Sequence, residues 1–172
     1  MISFMDAALN QLLDDLEDAG TQDDEGALID GFATWAQSTG RPLYPHQEEA
    51  LLELASGSHV IAQTPTGSGK SMVALAAHFI SLARGGRSYY SAPLKALVSE
   101  KFFDLVDVFG PANVGLITGD VSLNASAPVI CCTAEILANQ ALREGKALDA
   151  DTVVMDEFHF YADPQRGWAW QV

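Results

Sequence analysis

The residues best suited to chemistry form the segment Gln63–Ser71, which reads Gln-Thr-Pro-Thr-Gly-Ser-Gly-Lys-Ser. Glycines in such a turn let backbone N–H groups close around a β-phosphate. A lysine next to them reaches the β- and γ-phosphates, and the hydroxyl that follows ligates Mg²⁺. This order of residue types predicts a site for a nucleoside triphosphate.

Each residue of the segment has a candidate role in that site. Lys70 is the candidate for contact with the β- and γ-phosphates, and Ser71 is a candidate Mg²⁺ ligand. The predicted nucleotide contacts are Thr64, Pro65, Thr66, Gly67, Ser68, Gly69, Lys70 and Ser71. Thr64 departs from the general pattern, which has glycine at that position.

The flanks of the segment fit the same interpretation. Residues 59–62 predict a short buried strand, and residues 72–80 predict an apolar helix whose N-terminus would receive phosphate. A simple Gly-Ser turn between a strand and a helix is the structural alternative. A dinucleotide fold is disfavoured, because Met72 stands where its third glycine would be.

A second group of chemical residues lies at 156–159. Asp156 and Glu157 follow the apolar run 152–155, and His159 comes two residues later. Two carboxylates at the end of a strand suit metal-assisted hydrolysis of a phosphoanhydride, with Asp156 holding Mg²⁺ and Glu157 orienting and deprotonating water. Without a phosphate loop in the same sheet, an Asp-Glu pair is more often a helix start or a solvated turn.

Composition and charge narrow the class of protein. The chain has 172 residues and a formal net charge of −14, and nine of its 23 acidic residues lie in residues 1–30. This balance argues against a polybasic nucleic-acid binder. The adjacent Cys131 and Cys132 make a poor disulfide framework, and no run is long and apolar enough to span a bilayer, so we expect a cytoplasmic protein without a membrane partner.

Hydrophobic periodicity predicts an acidic helical extension over 1–40 followed by an α/β domain over 41–172. Apolar residues recur at helical spacing in 3–18, and Leu28, Ile29, Phe32 and Trp35 indicate a second helix. The acidic segment either packs on the domain or binds a protein partner. Strands are predicted at 59–63, 87–91, 114–117, 128–132 and 152–156, and further helices near 46–55, 70–83, 94–108 and 134–143.

The tetrapeptide Asp156-Glu157-Phe158-His159 fits the DExH signature of superfamily-two helicases. That resemblance extends from about Pro42 to Val172. It implies that His159 joins the catalytic residues Lys70, Asp156 and Glu157 and links the phosphate site to the nucleic acid. The segment 44–47 resembles the one whose glutamine reads adenine, which makes Gln47 the candidate base contact.

Three further segments resemble, in order, the nucleic-acid motifs of these helicases: 91–97, 115–120 and 132–137. The contacts that they imply are Pro93, Lys95, Thr118, Gly119, Thr133 and Glu135. Hydroxyls and amides at strand ends hold a sugar–phosphate backbone without reading bases. The run 156–170 is similar to the Ski-like RNA helicases, which implies single-stranded RNA as partner, with DNA as the alternative.

The resemblance implies the first RecA-like domain of an ATP-dependent helicase, with a mainly parallel sheet that is incomplete at the C-terminus. ATP and Mg²⁺ are the implied cofactors, and the protein would hydrolyse ATP to translocate and unwind. The second RecA-like domain is not in this sequence, so we expect the chain alone to be inactive. Two alternatives stay open: a P-loop ATPase that remodels protein or DNA, and a non-catalytic fragment that binds a partner.

Overall fold

Residues 6–63 and 67–162 are described by the structure, a computed structural model. The chain divides into two units, Met1–Gly85 and Gly86–Val172. None of the helices within the described ranges combines the length and apolarity that crossing a membrane requires.

The described part of the first unit is helical. Its helices are α1 (Asp6–Ala19), α2 (Glu25–Ser38), α3 (Pro45–Ala55) and α4 (Gly67–Ala83). The polar break between α1 and α2 ends at Asp24. The Asp24 carboxylate accepts a hydrogen bond of 2.7 Å from the Ala27 N–H and so caps the start of α2. α3 starts with Pro45, whose missing N–H costs nothing at a first helical position. The four helices predicted in this region are confirmed.

Apolar side chains from separate helices form the core of this unit. The Phe32 ring lies 5.3 Å from Trp35 and 5.4 Å from Phe79 of α4, measured between ring centroids. Leu9 and Leu16 of α1 are buried as well. The apolar stripe of the acidic N-terminal helix is therefore packed into the core of the unit. Each buried leucine stabilises the unit by about 1.5–3 kcal/mol.

The strand predicted over residues 59–63 is wrong. These residues have no regular secondary structure, and Ile61 is 89% exposed. A strand exists only where its N–H and C=O groups pair with another strand, and the described residues of the first unit contain no other strand.

A five-stranded sheet organises the described residues of the second unit, 86–162. Its strands are β1 (Ser88–Ala92), β2 (Val114–Ile117), β3 (Ser122–Leu123), β4 (Val129–Thr133) and β5 (Thr152–Met155), in the order β3-β2-β4-β1-β5. All neighbours are parallel except β2 and β3. The prediction of a mainly parallel sheet is confirmed, as are four of the predicted strands. The two-residue strand β3 was not predicted.

Helices cover both faces of this sheet. Lys101 of α5 (Lys95–Phe109) lies over the Tyr90 ring, whereas Gln140 of α6 (Ala134–Glu144) donates to the Tyr89 hydroxyl. Since successive strand residues point to opposite faces, the two helices lie on opposite sides of the sheet. The described part of this unit also has two short 3₁₀ helices, Gly145–Ala147 and Phe158–Ala162.

Between sheet and helices the core is closely packed. Tyr89, Ile130 and Cys132 form a buried cluster with Leu137 of α6. Burial in this apolar setting raises the pKa of the Cys131 and Cys132 thiols to about 12. Both cysteines are free thiols that remain protonated at neutral pH.

Gly115 in β2 allows the chain to pass closely under the β3 connection. A Cβ at this position would lie 2.2 Å from the Asn124 carbonyl oxygen and 2.8 Å from Cδ1 of Ile130. We expect Gly115→Ala to lower the free energy of unfolding by about 1–3 kcal/mol, as overpacking does. Gly119→Ala is the control, because a Cβ there meets nothing within 4 Å. Urea denaturation of both variants checks the expectation, and equal stabilities would contradict it.

Candidate functional site

The candidate phosphate site occupies the start of α4 in the first unit. Gly67 to Lys70 form the first turn of the helix, and Lys70 and Ser71 are exposed. N–H groups in a first turn have no helical partners, and the helix dipole adds positive potential there. The turn therefore suits an anion. Thr64, Pro65 and Thr66, which the sequence also assigns to nucleotide contact, lie outside the described residues.

Gln47 joins α3 to this turn through its side-chain amide. Its nitrogen Nε2 donates to the carbonyl oxygen of Gly69 at 3.1 Å, and its oxygen Oε1 accepts the Tyr44 N–H at 2.8 Å. The residue is only 6% exposed. An amide nitrogen carries two N–H groups and an amide oxygen two lone pairs, so Gln47 can hold the turn and still meet a base. Its contact with adenine stays a prediction.

In the second unit, Asp156 follows the carboxyl end of β5 and is tightly held. Its Oδ2 accepts a hydrogen bond of 2.7 Å from the Tyr90 hydroxyl, and its Oδ1 accepts the Glu157 N–H at 2.8 Å. The backbone N–H of Asp156 donates to the Ser91 carbonyl oxygen, which continues the β1–β5 ladder. Burial, together with the hydrogen bond to Asp156, raises the pKa of Tyr90, so its hydroxyl remains a donor.

Glu157 has an unusual backbone conformation and a histidine neighbour. Its φ of 53° lies in the left-handed region, where a residue other than glycine costs about 1–3 kcal/mol. His159 Nδ1 lies 3.1 Å from Oε2 of Glu157, and both side chains are partly exposed. The structure thus brings Asp156, Glu157 and His159 together in one turn after β5.

The candidate nucleic-acid residues follow the ends of the other parallel strands. In the sheet register Ala92 pairs with Thr133, Ser91 with Met155, and Ile117 with Cys132. Chain leaving these strands emerges at one edge of the sheet. That edge carries Pro93, Lys95, Thr118, Gly119, Thr133, Glu135, Asp156 and Glu157.

Lys95 and Thr118 meet through a residue that sequence reasoning did not assign to the site. Asp120 forms an ion pair with Lys95 and accepts a hydrogen bond of 3.2 Å from Thr118 Oγ1. The Lys95 ammonium beside it lowers the pKa of the Asp120 carboxyl. The Asp120 carboxylate beside this lysine would repel a phosphate that approaches it.

The oxygen donors suit Mg²⁺ bound together with a nucleotide. Among the described residues, no group of three or more His, Cys, Asp or Glu side chains could hold a metal ion by itself. Mg²⁺ usually takes one or two protein oxygens and completes its shell with phosphates and water. The Asp156 carboxylate of the second unit has the chemistry of such a ligand, and so does the Ser71 hydroxyl of the first unit. The role of each stays a prediction.

Tyr90 and Asp120 are the two contributors that sequence reasoning missed. The two tyrosines inside the buried strand 88–92 were a usable signal, because a buried phenol requires a hydrogen-bond partner. The partner of Tyr90, Asp156, is 66 residues away, however, and only the strand order reveals the pair. Asp120 lay within a recognised motif and gave no sign of its ion pair.

Comparison with known proteins identifies the family. The model of the DEAD/DEAH box helicase family matches residues 44–172. Probable helicase HelY of Mycobacterium leprae is 42% identical over 126 residues, which cover 73% of this chain and 14% of that protein. DExH-box ATP-dependent RNA helicase DExH15 chloroplastic of Arabidopsis thaliana is 39% identical over 132 residues, 73% of this chain and 11% of that protein.

A third relative is the Antiviral helicase SKI2 of Saccharomyces cerevisiae, 36% identical over 126 residues that cover 73% of this chain and 10% of that protein. The predicted resemblance to DExH-box helicases of the Ski-like branch is confirmed. The chain spans about a seventh or less of the length of these relatives.

If Lys95 contacts nucleic acid, Asp120 competes with it. We expect Asp120→Asn to strengthen binding of single-stranded RNA and Lys95→Ala to weaken it. Each phosphate contact on a single strand contributes about −0.7 to the slope of log affinity against log salt, so Lys95→Ala should make this slope shallower by about that amount. Asp120→Asn removes a carboxylate and adds no contact, so it should raise the affinity with little change in slope. Salt-dependent fluorescence anisotropy with a labelled RNA measures both quantities.

Asp104→Asn is the matched control, because Asp104 is an exposed aspartate that pairs with Lys101 at 3.6 Å outside the candidate motifs. The assignment of Lys95 is contradicted if all three variants bind RNA with the slope of the original protein.

Proposed function

Because the chain belongs to the DEAD/DEAH box helicase family, we propose that it forms the ATP-binding part of an ATP-dependent helicase that acts on single-stranded RNA. Family membership implies binding of ATP and of nucleic acid. The name of one relative, the DExH-box ATP-dependent RNA helicase DExH15 of Arabidopsis thaliana, supports RNA over DNA. We further propose an acidic helical extension over 1–40 and a first RecA-like domain over 41–172.

In this proposal the start of α4 binds the phosphates of ATP. The N–H groups of residues 67–70 and the Lys70 ammonium face the β- and γ-phosphates, together with Thr64, Pro65 and Thr66. Gln47 contacts adenine while its bond to Gly69 holds the phosphate-binding turn. Base recognition and phosphate binding are then linked by one side chain.

Asp156 and Glu157 divide the hydrolytic work between them. Asp156 and Ser71 would be the ligands of Mg²⁺, which when bound would neutralise negative charge on the phosphate oxygens. Glu157 orients the attacking water and accepts its proton. His159, 3.1 Å from Glu157, connects this turn to the nucleic-acid side.

Nucleic acid binds along the same edge of the sheet in the second unit. Pro93, Lys95, Thr118, Gly119, Thr133 and Glu135 are the proposed contacts. Hydroxyl groups, a lysine and the N-terminus of α6 hold phosphate without reading sequence. The net charge of −14 agrees with binding of nucleic acid through a few positioned groups and not through a polybasic surface.

The observation that carries the proposal is the turn after β5. An aspartate with both oxygens hydrogen-bonded and a strained glutamate stand at the carboxyl end of a parallel strand, where α/β proteins place catalytic groups. The hydrogen bond from a buried phenol holds this carboxylate in one orientation, which supports a role in metal binding. The free, buried Cys131 and Cys132 support a reducing, cytoplasmic setting.

The test is ATP hydrolysis by the full-length protein with single-stranded RNA, with single-stranded DNA and without either. We expect RNA to stimulate hydrolysis more than DNA does. Glu157→Gln should abolish the stimulated rate and retain ATP binding, because it removes the proton acceptor but keeps the size of the side chain. Glu144→Gln, at the end of α6 and outside the motifs, is the control that should retain the full rate.

Hydrolysis that neither nucleic acid stimulates would favour the alternative, a P-loop ATPase that remodels protein or DNA. Absence of ATP binding by the full-length protein would favour a non-catalytic role in which the acidic helices recruit a protein partner. Deletion of residues 1–30 tests this last alternative, because it should abolish binding of the protein partner and leave ATP hydrolysis intact.

A further inference from the structure

A buried tyrosine lies against the candidate metal ligand. Tyr90 of β1 is 1% exposed, and its hydroxyl donates to Oδ2 of Asp156 at 2.7 Å. In the parallel register Tyr90 pairs with Val154 of β5, two residues before Asp156. The two residues are 66 positions apart in sequence but on neighbouring strands of the sheet.

The Tyr90 ring is held from several directions. Val154 and Cys131 flank it on the neighbouring strands, and Lys101 of α5 lies over its face with Nζ 5.9 Å from the ring centroid. A side chain fixed by packing loses little conformational entropy when it makes a hydrogen bond. The hydroxyl is therefore in place before any ligand arrives.

We propose that Tyr90 is a positioning residue for Mg²⁺ binding, because its hydroxyl fixes the orientation of the Asp156 carboxylate. The inference rests on the proposed function, which takes Asp156 as a ligand of nucleotide-bound Mg²⁺. Each oxygen of an ionised carboxylate has two lone pairs, so Asp156 keeps acceptor capacity for a cation while it accepts from Tyr90 and from the Glu157 N–H. The loss of a hydrogen-bonded partner behind a metal ligand costs about 10–100-fold in metal affinity.

Tyr89 provides a matched control on the same strand. It is also 1% exposed, and its hydroxyl accepts a hydrogen bond of 3.4 Å from Gln140 on the opposite face of the sheet. Tyr89→Phe and Tyr90→Phe each delete one buried hydroxyl from β1. They therefore share the general cost of the change and differ in the contact with Asp156.

The experiment measures Mg²⁺ dependence of nucleotide binding, not turnover. The full-length protein and both variants are titrated with Mg²⁺ in the presence of a fluorescent, non-hydrolysable ATP analogue, and thermal unfolding is recorded for each. We expect Tyr90→Phe to raise the half-saturating Mg²⁺ concentration by about tenfold or more. Tyr89→Phe should leave it unchanged, and binding of the analogue without Mg²⁺ should be equal in all three proteins.

Equal half-saturating concentrations in the original protein and Tyr90→Phe overturn the inference, and so does an equal rise in both variants. A second measurement uses Asp156→Asn, to which Tyr90→Phe should add no further rise if it acts through Asp156. An additional rise in that double variant also overturns the inference. If the original protein binds the analogue with no response to Mg²⁺, the proposed function fails instead.

Discussion

The parallel pairing of β1 with β4 on one side and β5 on the other is the constraint on which the second unit depends. Parallel strands in register end at the same edge, so residues that follow them in sequence become neighbours in space. Asp156, Lys95 and Thr133 reach one edge from strands that are far apart in the chain. Without that register, the motifs would be separate turns with no common function.

Polar groups at this edge are held by other polar groups, which supports the proposal of a functional site there. Tyr90 and the Glu157 N–H fix the two oxygens of Asp156. Asp120 pairs with Lys95 and accepts from Thr118. In the first unit, Gln47 binds the carbonyl oxygen of Gly69. A buried donor such as the Tyr90 hydroxyl must be paired, because leaving it unsatisfied costs about 1–3 kcal/mol.

Sequence reasoning predicted the helices and most strands because their signals are local. The helical spacing of Leu9 and Leu16 indicates a helix that is buried on one face. The apolar run of β4 indicates a strand that is buried on both faces. The strand at 59–63 failed because a strand needs a partner, and a sequence segment does not carry one. Tyr90 and Asp120 were missed for a related reason: their hydrogen bonds join distant segments, so only the strand order discloses them. The phosphate-loop residues and the Asp156-Glu157 pair were found from their chemistry and spacing, and the other motif residues from the resemblance to helicases. The roles of all of them stay proposals.

The central claim is that Lys70 and the start of α4 bind the phosphates of ATP. The most direct measurement is the equilibrium affinity of the full-length protein for ATP, compared with that of Lys70→Ala and of Lys146→Ala, an exposed lysine outside the motifs. Loss of a charge-assisted contact of about 1.5–3 kcal/mol predicts an affinity at least about tenfold weaker for Lys70→Ala and unchanged for Lys146→Ala. Undiminished affinity of the Lys70→Ala variant would contradict the account.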